Sequence, residues 1–209
     1  TNGMLFPLDV VYARSGVALP QVTAIDPADI PPPYRSLLVH QVDMTLTLER
    51  HFGGRVALRP LATFTSGPWY FRRVLLTQEY TGRPVEMGAI RIKIGAFPER
   101  IRRQILKNDV PLGRVLRDGG VKYESRPKTF LAVTPNPEMM GVFWMREPRT
   151  LYGRRTEIVQ NGVKIGEATF HIGDQVIARQ QHRNLKPVGG DRNSFVRNGT
   201  RGVVVAIDA

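Results

Sequence analysis

The sequence predicts an α+β domain, an antiparallel β-sheet with flanking helices. Three runs of strand-forming residues follow one another at 56–64, 69–77 and 85–94, with short turns between them. Helix-like segments are grouped before and between the strands and do not alternate with each strand. A hairpin signal follows at 151–172. This order argues against a parallel sheet of βαβ units.

The N-terminal part contains the first predicted helix, over residues 34–52. Three prolines at 31–33 precede it, as is typical of helix starts, and Gly53-Gly54 ends it. Asp43 is a favourable N-cap, so it also marks a point at which a second, shorter helix would begin. Residues 1–30 are expected to form an N-terminal extension packed on the main domain.

Two short helices are predicted between the third and fourth strands. Pro98 opens the first of them, and Pro111 opens the second, over 112–116. Helices in tandem between strands are expected to form flaps over the sheet. The fourth strand is predicted at 123–133, and the segment 139–144 is predicted as a loop.

The last predicted hairpin has Asn161-Gly162 as its turn, because Asn and Gly accept the positive φ angles of a type I′ turn. A two-residue turn sets a register in which Arg154 faces Thr169 and Glu167 lies one diagonal step from Arg154. Glu167 then lies on a mostly apolar face. Either it forms a cross-strand ion pair at a solvated edge, or it faces an enclosed pocket.

The strand 69–76 carries two adjacent arginines, Arg72 and Arg73. Because neighbouring side chains point to opposite faces, whichever face of this strand is buried takes an arginine with it. A buried arginine needs a partner, which is either a structural carboxylate or an anionic ligand. Glu86 lies in phase with apolar residues of the next strand, and an ion pair with an arginine within the sheet is the expectation we favour for it.

The composition is that of a globular protein, with 42% apolar and 23% charged residues. The absence of cysteine excludes disulfides, zinc–thiolate sites and cysteine nucleophiles. The four histidines lie far apart in the sequence, and no nucleophile-elbow, P-loop or dinucleotide-binding motif occurs. We therefore expect no metal and no cofactor.

The formal net charge of +12 implies an anionic partner, either nucleic acid or a small anionic substrate. Residues 179–201 hold six Lys and Arg residues against one acid, but only one aromatic residue, Phe195. Base stacking needs aromatic side chains, so nucleic acid is not the expected partner. Residues 175–209 are predicted to be a basic, partly mobile C-terminal tail.

No apolar run approaches the ~18 residues of a membrane span, and the N-terminus shows no basic leader followed by an apolar segment. A chain of 209 residues suits one domain with a full hydrophobic core. We expect a soluble, cytoplasmic protein.

Five short segments, in this order and spacing, resemble the chorismate lyase family. They are LLVHQVDMT at 37–45, WYFRRVLL at 69–76, PLGRVL at 111–116, LYGRRTEI at 151–158 and NGVKIGEATF at 161–170. The resemblance covers a domain of about 31–174. It implies an antiparallel sheet with flanking helices, and helical flaps over a buried ligand site. It also implies a cofactor-independent lyase that converts chorismate to 4-hydroxybenzoate and pyruvate in ubiquinone biosynthesis.

The resemblance assigns roles to individual residues of this chain. Arg72 matches the arginine that holds the substrate carboxylate, and Glu167 matches the glutamate at the hydroxyl-bearing end. Leu112 matches the flap residue whose backbone N–H reaches the carboxylate. Met44 is expected to line the pocket, and Gly88 to lie close to the ligand.

One departure from the family pattern lies directly after this glycine. The family has an arginine there, and this chain has Ala89. Arg91, two residues further on and on the same strand face, is expected to compensate. Arg154 is expected beside Glu167 in the substrate site.

Two functions follow from these features. The first is a lyase acting on chorismate or a close relative. The second is a non-catalytic module that binds an aromatic carboxylate, because the effector-sensing domains of GntR-type transcription regulators resemble this fold. Those domains follow a winged-helix DNA-binding domain, and residues 1–33 are too short and too rich in proline to form one.

Overall fold

The computed structural model describes residues 3–173 and contains one antiparallel sheet of seven strands, in the order β1-β5-β6-β7-β4-β3-β2. This confirms the predicted α+β class. The strands are β1 (Gln21–Ala24), β2 (Val56–Ser66), β3 (Trp69–Gln78), β4 (Pro84–Lys93), β5 (Glu124–Thr134), β6 (Leu151–Gln160) and β7 (Val163–Ile172). The helices are α1 (Leu8–Ser15), α2 (Tyr34–Leu38), α3 (Met44–Phe52), α4 (Glu99–Lys107), α5 (Leu112–Asp118) and α6 (Pro137–Val142).

The predicted helix over 34–52 is divided into α2 and α3 at Asp43. The Asp43 carboxylate accepts hydrogen bonds from the backbone N–H groups of Thr45 and Leu46, at 2.8 and 3.4 Å, so it caps α3. Gly53 ends α3 with a φ of 69°, which glycine adopts without strain.

Three elements differ from the predictions. Neither α1 nor β1 is predicted, yet β1 pairs with β5 at one edge of the sheet, and Leu8 and Tyr12 of α1 are buried in the core. The loop predicted over 139–144 is wrong in part, because α6 begins at Pro137. Asn136 caps α6 by accepting a hydrogen bond from the Met139 N–H at 2.8 Å.

Apolar side chains and helices cover both faces of the sheet. One face, here called the α1 face, packs Phe71, Leu75 and Met87 against α1 and α6. The other, here called the cavity face, packs Val74 and Phe170 against α2 and α3, and Tyr70 and Ile92 against α4 and α5. Within residues 3–173, no helix is long and apolar enough to cross a membrane.

A register shift in the β6–β7 hairpin decides which residues face the cavity. The turn forms as predicted, and Gln160 pairs with Val163. Beyond that point Val159 pairs with Lys164 and Ile158 with Gly166, which leaves Ile165 as an extra residue.

A shift of one residue moves every later side chain of β7 to the other face of the sheet, relative to the predicted register. Arg154 consequently pairs with Phe170, and Glu167 pairs with Glu157. The predicted pairing of Arg154 with Thr169 is wrong. The predicted tail, residues 175–209, lies outside the described residues.

Candidate functional site

A cavity of about 100 Å³ lies between the cavity face of the sheet and the first turns of α3 and α5. This volume is enough for several waters or a small organic molecule. Strands β3, β4, β6 and β7 supply the floor, which includes Arg72, Glu86, Arg154 and Phe170. The first turns of α3 and α5, here called the roof, contribute apolar side chains.

Arg72 lies in the floor and is 1% exposed. Its Nη1 donates only long hydrogen bonds, to the Ile105 carbonyl at 3.5 Å and to Asn108 Oδ1 at 3.4 Å, and its Nε has no partner among the described residues. No carboxylate in residues 3–173 forms an ion pair with it. Burial lowers the pKa of Arg72 to about 10, so the side chain still carries its charge at neutral pH.

Arg154 is the second arginine of the floor and is fully buried. Its Nη1 donates to the carbonyls of Leu38 and His40, both at 2.6 Å. Its Nη2 lies 3.5 Å from Ser125 Oγ, and its Nε has no partner in the described part of the chain. Burial lowers the pKa of Arg154 to about 10, although the nearby carboxyl of Glu86 raises it in part.

Glu86 is 6% exposed, and its Oε2 has no hydrogen-bond partner within residues 3–173. Within the described part of the chain, Glu86 does not form the expected ion pair with an arginine of the sheet. Burial raises the pKa of Glu86 to about 8, against the attraction of Arg154 and with the help of Asp43. The carboxyl is therefore mostly protonated at neutral pH, so it leaves the charges of the two arginines largely uncompensated.

The two halves of the roof are in direct contact, because residues of α5 pack against Asp43, the N-cap of α3. A Cβ added at Gly113 would lie 2.2 Å from Asp43 Oδ1, so this glycine permits the close contact. Arg117 Nη1 forms an ion pair with Asp43 Oδ2 at 3.0 Å, and Arg114 forms an ion pair with Glu49.

Two predicted site residues, Met44 and Leu112, line the cavity from this roof. Both are apolar and therefore offer their side chains to the body of a ligand, not to its charge.

Gly88, also predicted near the ligand, lies in β4 between the lining residues Glu86 and Ile90. It pairs with Phe170, and a Cβ added at Gly88 would lie 2.6 Å from Phe170 Cβ. The glycine therefore allows β4 and β7 to pack closely, which places Phe170 in the cavity floor.

Glu167 and Arg91 lie on the α1 face, not in the cavity. Glu167 is 1% exposed, and its carboxylate contacts Arg91 Nε at 2.9 Å, Arg155 Nη2 at 2.8 Å and Lys164 Nζ at 3.2 Å. Burial alone would raise the pKa of Glu167, but the hydrogen bond and charge of Arg91, with those of Lys164, outweigh burial and lower it.

This placement corrects the expectation that Glu167 joins Arg154 in one pocket. The physical reason is the register shift at Ile165, which the turn residues do not reveal. Arg91 is likewise occupied, since its guanidinium stacks on Trp69 at 4.2 Å as well as binding Glu167.

The predicted site residues thus divide between the two faces. The cavity contains Arg72, Arg154, Met44 and Leu112, and it also contains Glu86, which the sequence suggested only as a structural partner. The alternation of side chains along β4 does indicate that Glu86 belongs to the site, because Glu86 shares a strand face with Ile90, which lines the floor. In the described residues, no group of three or more His, Cys, Asp or Glu side chains is arranged to hold a metal ion.

Comparison with known proteins finds no matching family model and no matching curated protein. Solved structures do match. PhnF from Mycobacterium smegmatis is 14% identical with a TM-score of 0.44, and the match covers 65% of this chain and 65% of PhnF. The chain thus spans less than two thirds of the length of that protein. The effector domain of PhnF alone is matched over 63% of this chain and 88% of the domain, also at 14% identity and a TM-score of 0.44.

The ligand-binding domain of a putative GntR-family transcriptional regulator from Bordetella bronchiseptica is a further match. It is 13% identical with a TM-score of 0.42, over 56% of this chain and 85% of that domain. The structural neighbours therefore include ligand-binding and effector domains, at a similarity too low to assign either a family or a ligand to this chain.

Proposed function

We propose that the cavity binds a small organic anion of the aromatic carboxylate class. The observation that supports this is the pair of buried arginines in its floor, Arg72 and Arg154, whose charges no ionised carboxylate of the described residues neutralises. A buried charge without a partner is costly. A ligand that brings one or two negative charges into the cavity removes this cost.

The arrangement of the floor favours a ligand with different groups at its two ends. Arg72 pairs with Ile90, and Glu86 precedes Ile90 by four residues along β4, a distance of about 13 Å between backbone positions. Arg72 suits a carboxylate, to which a guanidinium donates two parallel hydrogen bonds. Glu86, being protonated, suits a hydroxyl or another neutral polar group.

The space between these ends is mostly apolar, because Val74, Ile90 and Phe170 lie there and Met44 and Leu112 cover it. An aromatic ring fits such surroundings. A hydroxybenzoate therefore combines the features that the cavity selects.

Binding without chemistry is the function that this geometry supports best. Arg72 and Arg154 are donors that hold an anion, and Glu86 at neutral pH is a hydrogen-bond donor and not a base. Each of these groups serves recognition as it stands.

A second candidate is the lyase reaction on chorismate that the sequence resemblance implies. The observation that favours it is an arginine, Arg72, and a carboxyl group, Glu86, at opposite ends of one cavity. The resemblance assigned the arginine role to Arg72 and the carboxyl role to Glu167, and in this proposal Glu86 takes the carboxyl role. The C4 hydrogen of chorismate passes to the enol methylene, the C3–O bond breaks, and the products are 4-hydroxybenzoate and pyruvate. Holding one conformer is the main requirement for such a step.

Calorimetric titration of the full chain with 4-hydroxybenzoate and with 4-hydroxybenzamide tests the binding proposal. We expect the carboxylate to bind and the uncharged amide to bind at least ~100-fold more weakly, as for the loss of a buried charge pair. Equal binding of the two compounds, or binding of neither, would contradict it. Incubation with chorismate, followed by detection of pyruvate, tests the second candidate separately.

A further inference from the structure

We propose that Arg154 couples ligand binding to the position of the roof, by holding the α2–α3 link, residues 39–43. The coupling rests on the proposed ligand function, whereas the holding contact does not depend on any ligand. Arg154 then both contacts the ligand and positions the link, whereas Arg72 only anchors the anion.

The hydrogen bonds by which Arg154 holds the end of α2 and the link are short, and the Arg154 side chain itself is fully buried. Arg154 Nη1 donates to the Leu38 and His40 carbonyls, both at 2.6 Å. Leu38 is the last residue of α2, and carbonyls at a helix C-terminus lack partners within the helix. Because the donor is charged, these hydrogen bonds are stronger than neutral ones. The floor of the cavity therefore holds the end of α2 and the start of the link.

The link leads directly into the roof. Asp43 ends the link and caps α3, and the next two residues, Met44 and Thr45, line the cavity. A displacement of the link therefore displaces part of the cavity wall. Gly113 and Arg117 contact Asp43 from α5, so the second half of the roof moves with the first.

The guanidinium of Arg154 has donors left for a ligand. Its Nε has no partner among the described residues, and its Nη2 has only the 3.5 Å contact to Ser125 Oγ. One rigid group thus holds the link through Nη1, while its other two nitrogens lack a strong partner and the residue lines the cavity. A ligand that accepts from these nitrogens fixes the guanidinium and, through it, the link.

Arg72 differs in a way that separates the two roles. Its contacts with Ile105 and Asn108 are 3.5 and 3.4 Å long, so they are weak hydrogen bonds. An anion replaces them at little cost. Loss of Arg72 is therefore expected to reduce binding without releasing the α2–α3 link.

Hydrogen exchange of the full chain without ligand tests the holding contact. The Val39 and His40 amides are hydrogen bonded to carbonyls of residues 35 and 38, so their exchange reports local opening. In Arg154→Met we expect peptides covering 37–43 to exchange about tenfold faster or more, because their anchor is lost. Peptides covering 105–111 are expected to be unchanged.

Arg126→Met is the matched control, since Arg126 is half-exposed on β5 and pairs with Glu124. We expect it to leave exchange in 37–43 as in the wild type. If Arg154→Met does not fold, Arg154→Lys serves instead, because it keeps the charge and removes only the forked donor. Wild-type exchange in 37–43 in every folded Arg154 variant would overturn the proposal.

Exchange in the presence of saturating 4-hydroxybenzoate tests the coupling. We expect slower exchange in 37–43 of the wild type, because coupling is reciprocal and a ligand that benefits from the held link also stabilises it. In Arg154→Lys we expect a smaller effect or none, because lysine lacks the forked donors that contact both the link and the ligand. Binding detected by calorimetry without any change in 37–43 would overturn the coupling. Absence of binding to the wild type would instead contradict the proposed function and leave the ligand-free result to decide the holding contact.

Discussion

Glu167 lies directly opposite Glu157 in the β6–β7 hairpin, and Lys164 contacts both carboxylates, at 3.2 and 3.5 Å. Like charges directly opposite each other destabilise a sheet unless cations accompany them. Arg91 and Arg155 complete that compensation at Glu167. The cluster stabilises the α1 face of the sheet and does not contact the cavity.

Glu167→Gln is therefore expected to reduce stability and to leave ligand binding unchanged. Removing the charge leaves Arg91 and Arg155 without their buried carboxylate, at a cost of about 1–3 kcal/mol in the free energy of unfolding. Urea denaturation measures this loss, and Glu157→Gln, at the more exposed partner, is the control with a smaller effect. A large loss of 4-hydroxybenzoate affinity in folded Glu167→Gln would show that Glu167 serves the site after all.

Arg72→Ala is expected to weaken binding of 4-hydroxybenzoate by about 2–4 kcal/mol, because the ligand carboxylate loses a buried, charged partner. Calorimetric titration of both proteins measures the difference. Arg73→Ala is the matched control. Arg73 is the neighbouring buried arginine, but it lies on the α1 face, where it binds Glu138 at 2.6 Å. If both variants lost affinity equally, the effect would reflect general destabilisation and not the loss of a ligand contact.

The buried carboxyl of Glu86 predicts that stability falls as pH rises. The pKa of the Glu86 carboxyl is about 8 in the folded protein, above its ordinary value of 4.5 in the unfolded chain, so the folded state binds more protons between these values. Stability is therefore lost progressively from about pH 4.5 to about pH 8, and no further loss from this group follows above that range.

Glu86→Gln removes this dependence because glutamine does not titrate. The variant is expected to become more stable relative to wild type as the pH rises. At pH 9 its free energy of unfolding is expected to be larger than that of the wild type by on the order of a few kcal/mol. Denaturation curves at pH 5, 7 and 9 measure the difference. A constant difference across this range would mean that Glu86 is ionised in the folded protein throughout.

Gly88→Ala is expected to destabilise the sheet by about 1–3 kcal/mol. The added methyl group would lie 2.6 Å from Phe170 Cβ and 2.7 Å from the Thr169 carbonyl oxygen, so β4 and β7 must separate. Thermal unfolding measures the cost. Gly54→Ala is the control, because nothing lies within 4 Å of a Cβ there. Equal melting temperatures for Gly88→Ala and wild type would contradict this packing.

Local chemistry was sufficient to predict several features of the molecule from sequence. The turn at Asn161-Gly162 has φ angles of 50° and 76°, as a type I′ turn requires. Asp43 caps a helix as predicted, because an N-cap depends on the few residues that follow it. Adjacent arginines in β3 had to fall on opposite faces, and both are buried.

The set of residues that line the cavity depends on contacts between strands that are distant in sequence. The turn forms as its residues predict, yet the extra residue at Ile165 moves Glu167 to the α1 face. That bulge lies where β7 meets β4, and a Cβ at Gly166 would lie 3.0 Å from the Arg91 carbonyl oxygen. The alignment of β7 therefore depends on a strand distant in sequence, and no local pattern in the hairpin specifies it.

The same reason applies to the charges of the site. Two adjacent arginines in a strand with a buried face are enough to predict that one of them is buried and needs an anionic partner. Which partner it has depends on which strands and helices surround it. Among the described residues, Arg72 and Arg154 donate mainly to backbone carbonyls and form no ion pair with Glu86. Burial by distant elements raises the pKa of the Glu86 carboxyl, and its place in the sheet sets its distance from each arginine.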